Sequence, residues 1–412
     1  MAVGAEGLTL TWLAGHGVTH PLGFRTGAAE CGIRRTRPDL TLIVSDVPAV
    51  AAGVFTTNLV RASSVDFSRA VIERGPAQAI FCKAGNANAC TGAIGEQVTR
   101  DCAALTGNSL GIDPAQVLVA ATGIIGRQVP FEKIVAGMPA AVEALATGAA
   151  ADLAAAEAIG TTDTFAKQAA LTATSPYWEG ELRIGGMCKG SGMIAPDMAT
   201  LLAFLTTDAR IEPAVLQRAF REAMDRSFNR VTVDGDTSTN DMALILANGL
   251  GSATVPVRGP GADVFLEALT AVGVRLAQLV AQDGEGATKR VDLTVQGAAS
   301  EAAAAQVGKT VAESPLVKTA FFGNDPNWGR IVAAAGRAGV PFDPDQVSVA
   351  INGVTVFAKG GPAEFDEPAL VEAMRAPVLE VLIDLGDGEG AATIWSCDLS
   401  YDYVRINAEY TT

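Results

Sequence analysis

A threonine between a polar loop and an apolar run carries the clearest chemistry in this sequence. Thr200 follows the small residue Ala199 and precedes an apolar, strand-like segment. Pro196 fixes its own φ and removes a backbone donor, so a bend is expected just before the hydroxyl. A hydroxyl in this position can attack the preceding carbonyl in an N-to-O acyl shift. Hydrolysis of the resulting ester would cut the chain between Ala199 and Thr200, into residues 1–199 and 200–412.

The new amino terminus would carry a base and a nucleophile on one residue. A free α-amine has a pKa of about 8 and can take the proton of the Thr200 hydroxyl near neutral pH. The sequence has two histidines, His16 and His20, both near its start, so a Ser-His-Asp triad is hard to assemble. From these residues alone Thr200 is a candidate nucleophile, and the alternative is an ordinary strand threonine.

The residues around Thr200 resemble those of a known enzyme family. The segments Lys189-Gly190-Ser191-Gly192-Met193-Ile194-Ala195-Pro196 and Met198-Ala199-Thr200-Leu201 resemble the self-cleavage segment of the ornithine acetyltransferases (glutamate N-acetyltransferases). These are N-terminal-nucleophile enzymes of arginine biosynthesis. Further matches lie at 85–92, 228–241, 323–330 and 405–412, so the resemblance extends over nearly the whole chain.

The resemblance implies a reaction and its partners. An acetyl group would pass from N-acetylornithine to glutamate through an acetyl-Thr200 intermediate, without a cofactor. Whether acetyl-CoA also donates, which would make the enzyme bifunctional, stays open. The family forms assemblies of two cleaved chain pairs, so a heterotetramer is expected. Two alternatives remain: a self-processing aminopeptidase of the same architecture, and a non-catalytic small-molecule binding protein.

The resemblance also assigns the other site residues. It places the oxyanion hole on the Thr122 side chain and the Gly123 backbone, directly after the apolar strand at 116–121. Without the family, Gly123 is a strand-to-loop glycine whose unobstructed N–H could stabilise an oxyanion. Lys189 would pair with a substrate carboxylate or tune the amine, and Glu285 would pair with a substrate ammonium. The complete predicted substrate-binding set is Thr161, Lys189, Thr200, Glu285, Asn407 and Thr412, where Thr161 alternatively belongs to a threonine-rich turn.

Composition limits the class of protein. The 412 residues are 49% hydrophobic and 18% charged, as in a folded globular protein. The length predicts two domains, a catalytic domain at 1–285 and a smaller C-terminal α/β domain at 286–412. The net charge of -15 argues against nucleic acid or an anionic membrane as partner. It suits a cationic small substrate, although it also serves solubility.

Compartment and metal content follow from further patterns. We find no signal-peptide pattern and no membrane-spanning apolar run, so a cytoplasmic protein is expected. The six cysteines include no CxxC pair and are interpreted as buried free thiols. The acid-rich run beginning at Asp234 does not fit a calcium loop, because Thr239 and Ile245 occupy the places of the required Gly and Glu. No metal site is predicted.

Hydrophobic periodicity predicts the elements that position these residues. Strands alternate with helices, which indicates an α/β chain with layered sheets, and the resemblance implies the fold shared with self-processing aminopeptidases. The turn signal Asp46-Val47-Pro48 predicts a hairpin or a sharp bend between two short strands. A helical break is expected at Gly148, a helix at 264–281, and a half-buried strand at 395–403.

Overall fold

The computed structural model describes residues 7–34, 37–195 and 201–409. Strands and helices alternate along this part of the chain and form two sheets covered by helices. The prediction of a layered α/β fold is confirmed. The division of the chain at 285/286 stays a prediction.

The first sheet contains nine of the described strands. Their order is β1-β6-β7-β8-β9-β3-β4-β5, and β2 pairs with the first half of β3 on the edge opposite β4. The strands are β1 (Thr9–Trp12), β2 (Phe24–Ala29), β3 (Leu40–Phe55), β4 (Ala77–Lys83), β5 (Val117–Ala121), β6 (Lys167–Thr174), β7 (Glu181–Lys189), β8 (Leu202–Thr207) and β9 (Met242–Ala247).

Helices cover both faces of this sheet because its side chains alternate in direction. Leu205 and Ile245 pack in the same cluster as residues of α5 and α6, whereas Phe204 and Leu244 pack with residues of α1 and α4. Helices α2 and α3 join a further cluster over β2–β5. The helices are α1 (Ser63–Arg74), α2 (Gly92–Leu110), α3 (Phe131–Glu143), α4 (Ala149–Ile159), α5 (Pro213–Asp225) and α6 (Pro260–Gln282).

The predicted hairpin at Asp46-Val47-Pro48 is wrong. Strand β3 is continuous, and its first half pairs with β2 and β4 while its second half pairs with β9. Its register with β4 shifts between Val44 and Ala49. The exposed Pro48, which has no N–H to donate, lies within that irregularity. The turn-type residues therefore mark the place where one strand changes partners.

The helical predictions are confirmed. Gly148, with φ 95°, separates α3 from α4, and α6 spans the predicted 264–281. By length and composition α6 is the one helix in the described ranges that could cross a membrane. It is instead part of the core, because Val272 and Leu276 are fully buried and lie against β7 where Gly186 leaves room for them.

The second sheet has the order β13-β12-β11-β14-β10-β15 and its own apolar core. Its strands are β10 (Arg290–Ala298), β11 (Ser348–Ile351), β12 (Val354–Ala358), β13 (Gly361–Pro362), β14 (Val378–Asp384) and β15 (Gly390–Cys397). The accompanying helices are α7 (Glu301–Ala312), α8 (Pro315–Phe322), α9 (Trp328–Gly336), α10 (Glu367–Ala373) and α11 (Tyr401–Glu409).

Two further sequence interpretations need correction. The predicted strand at 395–403 ends at Cys397, and α11 begins at Tyr401, where the Asp402 N–H donates to the Ser400 hydroxyl oxygen at 3.1 Å. The cysteines are free, as predicted, but Cys31 is only partly buried and Cys90 is exposed. Cys90 has a φ of 57°, in the loop that follows β4.

Candidate active site

Six predicted site residues line one cavity of about 250 Å³. They come from five separate stretches of the chain and are Thr122, Gly123, Thr161, Lys189, Glu285 and Asn407. Ala199, Thr200 and Thr412 lie outside the described residues. The cavity is somewhat smaller than most drug-sized sites and suits a small metabolite.

Strand register brings the cavity residues to one edge of the first sheet. Lys189, the last residue of β7, pairs with Leu202, the first residue of β8. Leu202 in turn pairs with Met242, the first residue of the parallel strand β9. Leu201 and Asp241, which directly precede these strands, also line the cavity. The chain from 190 to 201 therefore connects two strand ends at the cavity.

Gly123 occupies a place that only glycine fits. Its φ is 125°, and a Cβ there would lie 2.3 Å from the Gly85 carbonyl carbon and 2.5 Å from the Asn86 nitrogen. The preceding Thr122 follows the end of β5, and its N–H donates to the Lys83 carbonyl at 3.0 Å. Close backbone packing between the 85–89 and 122–126 loops thus fixes the predicted oxyanion hole.

Lys189 is buried and lies next to the predicted oxyanion hole. Its Nζ donates to Thr122 Oγ1 at 3.5 Å. A hydroxyl oxygen that accepts this bond keeps its own proton available for another acceptor. The Lys189 ammonium therefore orients the Thr122 hydroxyl as a donor.

An ion triplet lies behind the cavity. The fully buried Lys167 on β6 pairs with Asp163 at 2.6 Å and with Asp283. Burial alone would lower the pKa of Lys167, but the two carboxylates outweigh it and raise that pKa. Burial likewise opposes ionisation of Asp163, yet the charges of Lys167 and Lys189 hold its pKa well below the usual range.

Asp163 joins two of the loops that carry predicted substrate residues. It accepts hydrogen bonds from the Thr161 N–H and the Gly190 N–H, each at 2.8 Å. Gly190 directly follows Lys189. The Asp163 carboxylate therefore holds the Thr161 loop against the end of β7.

Asp283 attaches a third loop to the same ion triplet. The Ser191 hydroxyl donates to the Asp283 carbonyl at 2.6 Å, and the Glu285 N–H donates to the Ser191 carbonyl at 2.9 Å. The Asp283 carboxylate accepts the Thr164 N–H at 3.0 Å. Lys167 thus connects the loops that present Thr161, Lys189 and Glu285.

Helix α11 closes one side of the cavity beside Glu285. Asn407 Nδ2 donates to Glu285 Oε2 at 2.8 Å. Tyr403 lies one helical turn before Asn407 and lines the same cavity. A Cβ at Gly286 would lie 2.4 Å from the Tyr403 nitrogen, so glycine permits this close approach. Gly192 also lies close to Glu285, because a Cβ at Gly192 would be 2.4 Å from the Glu285 carboxylate.

Several cavity residues were not assigned from the sequence. Asn240 donates to the Ala87 and Ala121 carbonyls at 2.6 and 2.8 Å and so fixes the loop around the oxyanion hole. Asp234 accepts the Met193 and Ile194 N–H groups at 2.6 and 2.8 Å. The signal that could have found them is the acid- and amide-rich run 234–241, which lies within the family match at 228–241.

Burial shifts the ionisation of two carboxyl groups in this run. Desolvation raises the pKa of Asp234, although it accepts the N–H groups of Met193 and Ile194. Desolvation also raises the pKa of Asp241 well above its ordinary value, against hydrogen bonds from Leu201 and Ser238 and the charge of Lys189.

The cavity carries more acidic than basic groups. Among the described lining residues Lys189 is the only basic side chain, and the acidic ones are Asp234, Asp236, Asp241 and Glu285. A ligand with one carboxylate and an ammonium group complements this distribution. In the described ranges, three or more His, Cys, Asp or Glu side chains do not cluster as a metal site would require.

Comparison with known proteins identifies the family. Residues 25–412 match the sequence profile of the ArgJ family. The Arginine biosynthesis bifunctional protein ArgJ of Thermosynechococcus vestitus is 49% identical, with 96% of this chain and 98% of that protein covered. The protein of the same name from Symbiobacterium thermophilum is 47% identical, with 98% and 100% covered. The crystal structure of Arginine biosynthesis bifunctional protein ArgJ from Bacillus halodurans is 41% identical, covers 50% of this chain and 98% of that one, and has a TM-score of 0.49. The chain belongs to the ArgJ family, as its motifs predicted.

Proposed function

We propose that the chain is a glutamate N-acetyltransferase of arginine biosynthesis that transfers an acetyl group from N-acetylornithine to glutamate. The observation that carries this proposal is the convergence of Thr122, Gly123, Thr161, Lys189, Glu285 and Asn407 on one cavity. These residues were assigned from family motifs that lie far apart in the sequence. The 190–201 segment, which leads to the predicted cleavage point, begins and ends at the same cavity.

The proposed reaction proceeds by two acyl transfers. Thr200 Oγ attacks the acetyl carbonyl, and its proton passes to the α-amine of the same residue. The Thr122 hydroxyl and the Gly123 N–H stabilise the oxyanion. Collapse of the tetrahedral intermediate breaks the amide bond, and the departing ornithine amine takes the proton. The neutral amine of glutamate then attacks acetyl-Thr200 and gives a proton to the Thr200 α-amine. Collapse of this second intermediate breaks the ester bond, leaves the new amide, and returns that proton to Thr200 Oγ.

The charges of the cavity support a diamino acid as the acetyl donor. Lys189 is suited to the substrate carboxylate, and Glu285 to the free side-chain ammonium. The Asn407 amide holds the Glu285 carboxylate in place from α11. Glutamate offers a carboxylate to Lys189 as well, so both substrates can use one cavity in turn. This chemistry requires no cofactor.

Intact-mass spectrometry tests the nucleophile. The purified protein should consist of two fragments that meet at Ala199/Thr200, and N-acetylornithine without glutamate should add one acetyl group to the fragment beginning at Thr200. Thr200→Ala should give one uncut and inactive chain. An active Thr200→Ala protein, or an acetyl group on another residue, would refute the mechanism.

Steady-state kinetics test the order of the two transfers. Initial rates at varied N-acetylornithine and glutamate should give parallel double-reciprocal lines, because the first product leaves before the second substrate reacts. Intersecting lines would require a ternary complex instead. Acetyl-CoA offered as the sole donor tests the bifunctional activity, and peptide hydrolysis without acetyl exchange would favour an aminopeptidase.

A further inference from the structure

Asp241 is a buried carboxyl group in the cavity that the mechanism above does not use. It directly precedes β9, is 2% exposed and lines the cavity. Its carboxyl accepts hydrogen bonds from the Leu201 N–H and from Ser238. Its Oδ2 is buried and has no hydrogen-bond partner among the described residues. A buried carboxylate oxygen without a donor is costly, so this environment disfavours the ionised form.

The hydrogen bond to Leu201 connects Asp241 with the predicted nucleophile. The Leu201 nitrogen forms the peptide bond with Thr200, and the α-amine released by cleavage is only a few bonds further along. A negative charge on Asp241 would favour the protonated form of that amine. An ammonium cannot take the proton of the threonine hydroxyl, so an ionised Asp241 would reduce the fraction of the enzyme whose Thr200 amine is unprotonated near neutral pH.

We propose that Asp241 is a positioning residue for the nucleophile and acts as an uncharged carboxylic acid, which anchors the Leu201 amide next to Thr200 without adding negative charge beside the Thr200 amine. The inference rests on the proposed function. Desolvation raises the pKa of Asp241, in agreement with the uncharged form. Among the described residues, the other titratable or charged groups that line the cavity are Lys189 on β7, Asp234 and Asp236 in the loop before β9, Glu285 after α6, and Tyr403 on α11.

Two substitutions separate the anchor from the charge. Asp241→Asn keeps an oxygen that can accept the Leu201 N–H and is uncharged at every pH. It should retain self-cleavage and a kcat within about threefold of wild type. Asp241→Ala removes the anchor and should lower kcat by about 10- to 100-fold, as expected when a reacting group is mispositioned. An Asp241→Asn protein as impaired as Asp241→Ala, or a fully active Asp241→Ala protein, would overturn the proposal.

The pH profile reports the charge of Asp241. The acid limb of kcat/KM reflects deprotonation of the Thr200 amine. Because Asp241 is uncharged in the proposal, this limb should lie at the same pH in wild type and in Asp241→Asn. If Asp241 were ionised, removing its charge would shift the limb to lower pH, and that shift would refute the uncharged form.

Infrared difference spectroscopy tests the same claim without an activity measurement. At neutral pH the wild-type protein should show a protonated-carboxyl stretch that is absent from Asp241→Asn, and absence of this band from the wild type would refute the claim. Asp152→Asn is the control, because Asp152 is a buried carboxyl with a raised pKa that binds the Gly17 and Thr19 N–H groups outside the cavity. The kcat of Asp152→Asn and the acid limb of its kcat/KM profile should match those of the wild type. If wild type transfers no acetyl group, the proposed function fails, while the infrared band still reports on Asp241.

Discussion

Replacing Lys167 by methionine should destabilise the protein by about 3–5 kcal/mol, the usual effect of removing one partner from a buried ion pair. Lys167 is fully buried, and it is the shared partner of the buried carboxylates Asp163 and Asp283. Methionine fills a similar volume but leaves two negative groups without their cation. A loss of this size is a large part of the roughly 5–15 kcal/mol that stabilises a typical protein.

A second buried lysine provides a matched control. Lys318 is 4% exposed, and its ammonium donates to neutral groups, the Ser396 hydroxyl at 3.1 Å and the Cys397 carbonyl. Lys318→Met therefore leaves neutral acceptors unpaired and should cost about 1–3 kcal/mol. Lys167→Met should be the more destabilising of the two. Replacing Asp163 and Asp283 by asparagine in the Lys167→Met protein should recover part of the loss, because the buried charges are then gone.

Urea denaturation in a Thr200→Ala background measures these differences on one uncut chain. Tryptophan fluorescence and circular dichroism should give coincident transitions before a free energy of unfolding is assigned. Equal destabilisation by Lys167→Met and Lys318→Met would contradict the reasoning, because it would mean that the two carboxylates tolerate the loss of their cation. Failure of the double asparagine replacement to recover stability would contradict it as well.

The ion triplet also predicts how stability depends on pH. The native pKa of Asp163 is lowered by Lys167 and Lys189 against the opposing effect of burial, so its contribution is present above the unfolded-state pKa of about 4. That contribution is lost as pH falls through the native pKa. The native pKa of Lys167 is raised by the two carboxylates against burial, so its contribution is lost only as pH rises through that value. Lys167→Met should flatten the acid side of the stability profile.

Other predictions concern the cavity and the assembly. Gly123→Ala should lower kcat about 100-fold or more, because its Cβ would collide with Gly85 and displace the predicted oxyanion hole, and a kcat near wild type would exclude Gly123 from that role. Glu285→Gln should lower kcat/KM for N-acetylornithine about 10- to 100-fold through loss of the charged pair, with a smaller effect on a donor that lacks a side-chain ammonium. Equal losses for both donors would show that Glu285 does not bind the side-chain ammonium of the donor. Light scattering should give twice the 42.2-kDa mass of one chain for a heterotetramer of two cleaved pairs, and a mass of one chain would contradict that assembly.

Local sequence signals correctly predicted those elements whose boundaries are set by residues close to them in the sequence. Gly148 separates two helices because its φ of 95° is unfavourable for other residues, and α6 follows from long apolar periodicity. The Asn352-Gly353 pair, with φ of 46° and 78°, turns β11 into β12. This pair is a strong hairpin signal, but it is not among the turns predicted above. The continuity of β3 could not be predicted from its local sequence, because the strand is stabilised by pairing with β2, β4 and β9, which come from distant segments of the chain.

The site shows the same limit at the level of single residues. Family motifs predicted Thr122, Lys189 and Glu285 as site residues, since each lies in a recognisable local pattern, and all three line the cavity. Asp241 lies at the end of the family match at 228–241, but that match assigns it no role, and its contact with Leu201 depends on strand register. The parallel pairing of Leu202 with Met242 brings the residues just before β8 and β9 together, so the Asp241 carboxyl meets the Leu201 N–H. Helix α5 makes the connection between these two strands and buries its apolar face against the sheet. A substitution that shifts β9 against β8 should therefore impair the nucleophile even with each predicted site residue intact.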